Sequence, residues 1–215
     1  MIVKRKVGII AVVALLCLLA GAGYWLGTYK QRELRFRTVN VDIPDDYQDI
    51  CYGSDTAQLT IYMFSTYGCR HCRNFLMLDL PYVRQRYVDS GLVRFVIKPI
   101  EPTEDKDMLS ALQLAVCMNQ NGTFDDINEL LLTEPSAVYT EEFKTLVDDI
   151  INGNRELAEC LVSNDFAYIR QNNALFDKLG SKGTPIFVVG DHLYRGHRKI
   201  EQFCHIVEYE LNRNK

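Results

Sequence analysis

The sequence lacks a surplus of either charge. Its 24 basic and 28 acidic residues leave a net charge of −4 over 215 residues, which excludes a globally basic nucleic-acid surface. It does not lack apolar residues, and a fraction of 47% excludes a disordered chain. No internal repeat is visible, so no solenoid is expected. A second pair of closely spaced cysteines is also missing. Cys69 and Cys72 stand three apart, whereas Cys117, Cys160 and Cys204 offer no comparable pair, so a four-ligand zinc site is not expected. No Leu-x-Ala/Gly motif precedes Cys17, and lipidation there is not expected.

Charge is distributed unevenly. Residues 101–160 carry 14 acids and three bases, which reads first as a solvated helical face and second as an acidic docking surface. Of the seven cysteines, Cys17 lies in an apolar N-terminal run and six lie downstream: Cys51, Cys69, Cys72, Cys117, Cys160 and Cys204. An even number beyond an export-type segment points to an oxidising compartment and up to three disulfides, with 15 pairings open.

Lys4-Arg5-Lys6 closes a six-residue tail, residues 1–6, expected on the cytoplasmic side. Residues 7–27 follow without a charge, and as a helix they would span about 30 Å. A retained anchor and a cleaved signal peptide both fit. Tyr24-Trp25 favours the anchor and Ala20-Gly21-Ala22 favours cleavage. Residues 28–50 read as a polar tether, with Val39, Val41 and Ile43 alternating as in a short edge strand.

Residues 51–215 read as one α/β domain. Leu59, Ile61 and Met63 mark a strand that runs into Cys69-Arg70-His71-Cys72 and then a helix to about Val88, interrupted by Pro81. Leu92 to Ile100 form a second strand, and about 105–179 is helical in period throughout. Thr184-Pro185 opens a strand that turns at Gly190-Asp191 into another, and a last helix covers Arg198 to Leu211. His192, His197 and His205 read as loop and surface residues.

Two cysteines at a strand-to-helix junction can close a small disulfide or hold one thiolate at a helix N-terminus, where unpaired N–H groups favour negative charge. Cys69 would lie nearer solvent and Cys72 one turn inward, within disulfide reach. Arg70 and His71 between them place positive charge or donors beside the thiolate. A purely structural bond gains little here, because so short a loop removes little unfolded-state entropy.

The order β, α, β, helical insert, β, β, α, with Phe64-Ser65-Thr66-Tyr67-Gly68-Cys69-Arg70-His71-Cys72 matching FxxxxCxxC and Gly183-Thr184-Pro185 matching a cis-proline loop, resembles the DsbA-like thiol:disulfide oxidoreductases. The resemblance covers roughly residues 50–213. It implies a thioredoxin-like fold with an inserted all-helical subdomain, Cys69 as nucleophile and Cys72 as resolving thiol. It also implies a cis Pro185 facing the pair, and Thr184 pairing its backbone with an extended substrate segment. A disulfide between the helices of Cys117 and Cys160 is implied as well, leaving Cys51 and Cys204 as the remaining candidate pair. The family's implied partners are exported proteins with free thiols and a DsbB-like membrane redox partner, with no metal and no cofactor.

Two positions depart from the family pattern. Arg70 stands where proline is common, and Met63 stands where an acid often pairs with a buried base; Lys98 is the candidate for that base. The function expected is formation of disulfides in exported proteins on the extracytoplasmic side, either membrane-anchored or soluble in the periplasm. A reductase or isomerase of the same fold, and a tethered peptide-binding or chaperone module, are the alternatives.

Overall fold

The computed structural model describes residues 15–25, 37–164 and 166–213. The chain divides into two compact units, Met1–Arg35 and Phe36–Lys215. In the first, α1 covers residues 15–25. Residues 7–14 and 26–27 of the expected membrane segment lie outside the described residues. Among the described residues, no helix is long and apolar enough to cross a membrane.

The second unit is built on a six-stranded sheet. Its strands are β1 (Arg37–Thr38), β2 (Ile50–Tyr52), β3 (Leu59–Ser65), β4 (Val93–Pro99), β5 (Ile186–Val189) and β6 (His192–Arg195), in the order β1-β6-β5-β3-β4-β2. Only β3 and β4 run parallel, and they lie next to each other inside the sheet. Strands covered on both faces can be apolar throughout rather than alternating. β4 is buried at every position, and its two charged residues, Arg94 and Lys98, are paired with Asp45 and Asp49.

The two faces have separate cores. On one, Ile61, Met63, Phe95 and Phe187 share a side by register. This face is covered by the helix that follows β3, α2 (Arg70–Asn74) and α3 (Leu80–Val83), with π-helical turns over Phe75–Asp79 and Arg84–Val88. Phe75 of that helix sits 5.9 Å from Phe95, 4.8 Å from Phe187 and 5.0 Å from Phe203, centroid to centroid. Each such ring buried contributes about 1.5–3 kcal/mol, so the start of the helix is tied to the sheet. Pro81, expected to kink the helix, falls in the first turn of α3 just after a π-helical turn. A proline is tolerated there because its missing N–H has no partner to lose.

On the other face, Phe64, Ile186, Val188 and Leu193 pack with Ile43, Ile100, Phe176 and Leu179. Phe176 belongs to α8 (Ala167–Lys178), the last helix of the insertion. That insertion also contains α4 (Lys106–Gln120), α5 (Phe124–Thr133), α6 (Glu141–Gly153) and α7 (Arg155–Asn164). α9 (Ile200–Arg213) returns to the first face, where Phe203 meets Phe187 at 4.9 Å.

Two expectations are corrected. Residues 37–50 are part of the domain rather than a tether: β1 pairs with β6, and Ile43 enters the second core. Of the expected edge strand, Val39, Val41 and Ile43 are not strand but pack on that core, and the strand β1 covers Arg37–Thr38 only. Cys51 and Cys204 are not joined, and both are free thiols. Cys51 is in register with Val96, which itself faces Tyr62 on the second face, whereas Cys204 lies on α9 over the first. Cys117 and Cys160 do form a disulfide, between α4 and α7.

Candidate active site

The site begins where β3 ends. The turn 66–68 is held from three sides. Thr66 Oγ1 donates to Glu101 Oε2 at 3.0 Å, the Tyr67 hydroxyl donates to Asn128 at 2.9 Å, and Arg73 Nη1 donates to the Tyr67 carbonyl at 2.6 Å. The Cys69 N–H donates to the Thr66 carbonyl at 3.2 Å. This closes the turn and delivers Cys69 as the N-cap of α2, in extended conformation with φ −89° and ψ 114°. An N-cap side chain faces helix N–H groups that have no intrahelical partner. Here the side chain is a sulfur.

Cys69 is half-buried and Cys72 has no exposed surface. The Cys69 thiol is lowered to about 5, chiefly by the hydrogen bond from the Cys72 thiol. Partial burial opposes that shift, while the Thr184 side chain and the backbone N–H groups of Cys72 and His71 add to it. Cys72 moves far the other way, first because burial disfavours its charged form and then because Cys69 bonds to it and carries charge beside it. At neutral pH the pair therefore consists of one thiolate and one thiol. The low-pKa sulfur is the accessible one, as nucleophilic exchange needs.

The peptide bond Thr184–Pro185 is cis. Its Thr184 carbonyl oxygen lies 3.3 Å from the Cys69 sulfur, a hydrogen bond that only the protonated form of Cys69 can donate. An open groove of about 330 Å³ runs past this point, lined by Cys69, Thr184, Lys182, Glu101, Met108 and Tyr139. Arg70 and His71 are exposed on the first turn of α2. His71 offers its backbone N–H to Cys69, and its ring meets the His197 ring edge-on at 6.3 Å.

Lys98 does have a buried acid. Its Nζ lies 2.7 Å from Asp49, both side chains are almost wholly buried, and the Tyr168 hydroxyl also bonds to Asp49. The acid comes from the segment before β2, not from the first strand. Lys98 is in register with Phe64 on the face covered by α8, so the pair lies across the sheet from Cys72. Met63 is fully buried on the face of α2, and the polar groups that meet Cys72 there are the Ser65 side chain and the Thr66 backbone.

Three residues around the site and its sheet were not apparent in the sequence, Asp49, Glu101 and Asp79, and a fourth, His197, was read only as a loop and surface residue. Glu101 is a buried carboxylate on the groove wall that also accepts from the Thr103 N–H at 3.1 Å. His197, expected at the surface, instead bonds through Nε2 to Asp79. Sequence offers no signal for pairs like these, since Asp79 and His197 are 118 residues apart. Elsewhere Asp191, His192 and Glu210 bring three ligand-type atoms together, but Arg213 lies 2.7 Å from His192 and donates to Glu210 at 3.1 Å. A guanidinium stands where a cation would.

Comparison with known proteins agrees with this geometry. A family profile described as thioredoxin matches residues 45–209. A protein of Rickettsia conorii, provisionally named a protein-disulfide oxidoreductase, is 23% identical over 193 residues, covering 86% of this chain and 69% of its own. Among solved structures, Wolbachia pipientis alpha-DsbA1 superposes with a TM-score of 0.64 at 16% identity, covering 81% of this chain and 95% of its own. Oxidised BdbD of Bacillus subtilis gives 0.64 at 20%, covering 79% and 96%. The catalytic domain of Proteus mirabilis ScsC gives 0.60 at 24%, covering 78% and 92%. By sequence profile the chain belongs to the thioredoxin family, and its fold is the one shared by these DsbA-like structures.

Proposed function

We propose that this chain is an extracytoplasmic oxidant that transfers the Cys69–Cys72 disulfide to exported proteins. The observation that carries the direction is the Cys69 thiol lowered to about 5, between the ~7 of thioredoxin and the ~3.5 of DsbA. A sulfur that is stable as an anion leaves readily, and stabilising the reduced form makes the disulfide more oxidising.

In the first step a substrate thiolate attacks Cys69 Sγ of the oxidised pair. The S–S bond breaks, the electron pair goes to Cys72, and that sulfur takes up a proton. The second substrate thiolate then attacks the substrate sulfur of the mixed disulfide, and Cys69 leaves as thiolate. The substrate is oxidised by two electrons and the enzyme pair is reduced. A partner of DsbB-like type would then reoxidise the pair.

The groove beside Thr184 supports an extended peptide as substrate. Main-chain pairing with Thr184 is tolerant of sequence, and Met108 and Tyr139 give the groove apolar surface. An envelope location is supported by the cysteine-rich composition, by the Cys117–Cys160 disulfide and by α1, whose Leu15, Leu16, Leu18, Leu19 and Trp25 are all exposed.

The reductase or isomerase reading is kept alive by Arg70, which stands in place of proline in the motif. Exchange with a reduced, unfolded test protein decides whether the pair acts at all. Cys69→Ser is expected to abolish oxidation of that protein. Retained oxidation would overturn the assignment, and client binding without exchange in the intact protein would favour a peptide-binding module instead.

A further inference from the structure

Beside the cysteine pair two imidazoles meet, and only one belongs to the motif. His197 follows Gly196, whose N–H donates to the Pro185 carbonyl at 2.9 Å. The chain leaving β6 is therefore fastened to the cis-proline turn. From there the His197 ring reaches α2 and the π-helical turn Phe75–Asp79 that follows it. Nε2 bonds to the Asp79 carboxylate, the ring stands edge-on to Phe75 at 6.0 Å, and a second edge contact at 6.3 Å is made with His71.

The two partners of the bond are sheltered, with His197 and Asp79 side chains 19% and 17% exposed. Phe75 is itself locked by Phe95, Phe187 and Phe203. His197 is thus held by a hydrogen bond on one side and a buried ring on the other. His71, by contrast, is exposed at the first turn of a helix, where nothing in its own helix fixes its ring. An aromatic edge contact is worth a few-fold to about tenfold in the population of one orientation. The Asp79 carboxylate also selects the His197 tautomer with the proton on Nε2.

We propose that His197, fixed by Asp79, is a positioning residue that restricts the orientation of the His71 ring, two residues along the chain from Cys69, and so sets how readily Cys69 carries charge. The proposal rests on the reading of Cys69–Cys72 as a redox couple and adds a specific control to it. It also joins two parts of the site that substrate touches together, since His197 hangs from the same turn that presents Thr184.

The test is a double-mutant cycle on the full chain, with two readouts: the equilibrium constant of the Cys69–Cys72 pair against glutathione, and the thiolate titration followed at 240 nm. His197→Ala is expected to make the pair less oxidising by three- to tenfold, tenfold being about 30 mV for a two-electron couple. The thiolate midpoint is expected to rise with it. His71→Ala is expected to do at least as much, and the double variant no more than His71→Ala alone. Asp79→Asn, expected to act in the same direction as His197→Ala, carries the same cycle if His197→Ala does not fold.

Additive effects in the double variant overturn the proposal, because His197 would then act without His71. An unchanged equilibrium constant in either single histidine variant overturns it too. A wild-type pair that does not equilibrate with glutathione overturns the redox reading itself, which separates the two failures.

Discussion

Cys69 and Thr184 are 115 residues apart, yet the sulfur of one lies 3.3 Å from the backbone carbonyl oxygen of the other. The contact joins the helix that carries the reactive pair to the turn that would carry substrate. It depends on a cis bond at Pro185 and on β3 pairing antiparallel with β5. Phe64 is in register with Ile186, which sets the two strand ends side by side.

The Thr184 side chain is one of the groups that lower the Cys69 thiol. Thr184→Val keeps the shape and removes the hydroxyl. The thiolate midpoint is expected to rise, and the pair to become a weaker oxidant by roughly threefold to tenfold, the worth of one hydrogen bond of about 0.5–1.5 kcal/mol. Absorbance at 240 nm against pH measures the first, and equilibration with glutathione the second.

The depressed Cys69 thiol also makes the stability of the reduced protein depend on pH. A group lowered to about 5 in the folded state and near 8.5 when unfolded contributes stability that is fully present above the unfolded value. That stability is lost as pH falls through the folded one. The reduced form is therefore expected to gain on the oxidised form as pH rises from about 5 to about 8.5. Unfolding midpoints of both forms across that range check the sign, and a constant difference contradicts it.

Lys98 and Asp49 form a buried pair on the face opposite α2. Lys98→Met leaves the Asp49 carboxylate without its partner and is expected to cost about 3–5 kcal/mol, most of it recovered by adding Asp49→Leu. Because the sheet separates the pair from Cys72, the Cys69 titration is expected to stay in place. Denaturant unfolding and the 240 nm titration test the two halves separately.

The disulfide Cys117–Cys160 closes a segment with a sequence separation of 43. On the chain-entropy model its loss costs about 4 kcal/mol. The double alanine variant is expected to unfold at lower denaturant while its exchange rate at Cys69 is unchanged under native conditions.

What could be read in the sequence and what could not follow a physical division. Cys69, Cys72, Thr184 and Pro185 sit in short motifs, and the helical insertion shows itself through its 3.6-residue period. The acid opposite Lys98 could not be read. Asp49 lies 49 residues before Lys98, in a stretch of turn residues that gives no strand pattern. His197 follows a glycine, in a segment that reads as surface loop, and only the folded chain brings it to Asp79. Polar pairs of long sequence separation leave no periodic trace. The Cys51–Cys204 pairing failed for a related reason, since a count of cysteines does not say which face of the sheet each one occupies.

The reduction potential of the Cys69–Cys72 pair, measured by equilibration with glutathione, bears most directly on the direction of electron flow. A value nearer to about −120 mV, that of DsbA, is expected for an oxidant whose nucleophile is lowered to about 5. A value at or below about −270 mV, that of thioredoxin, would contradict it and assign the chain to reduction.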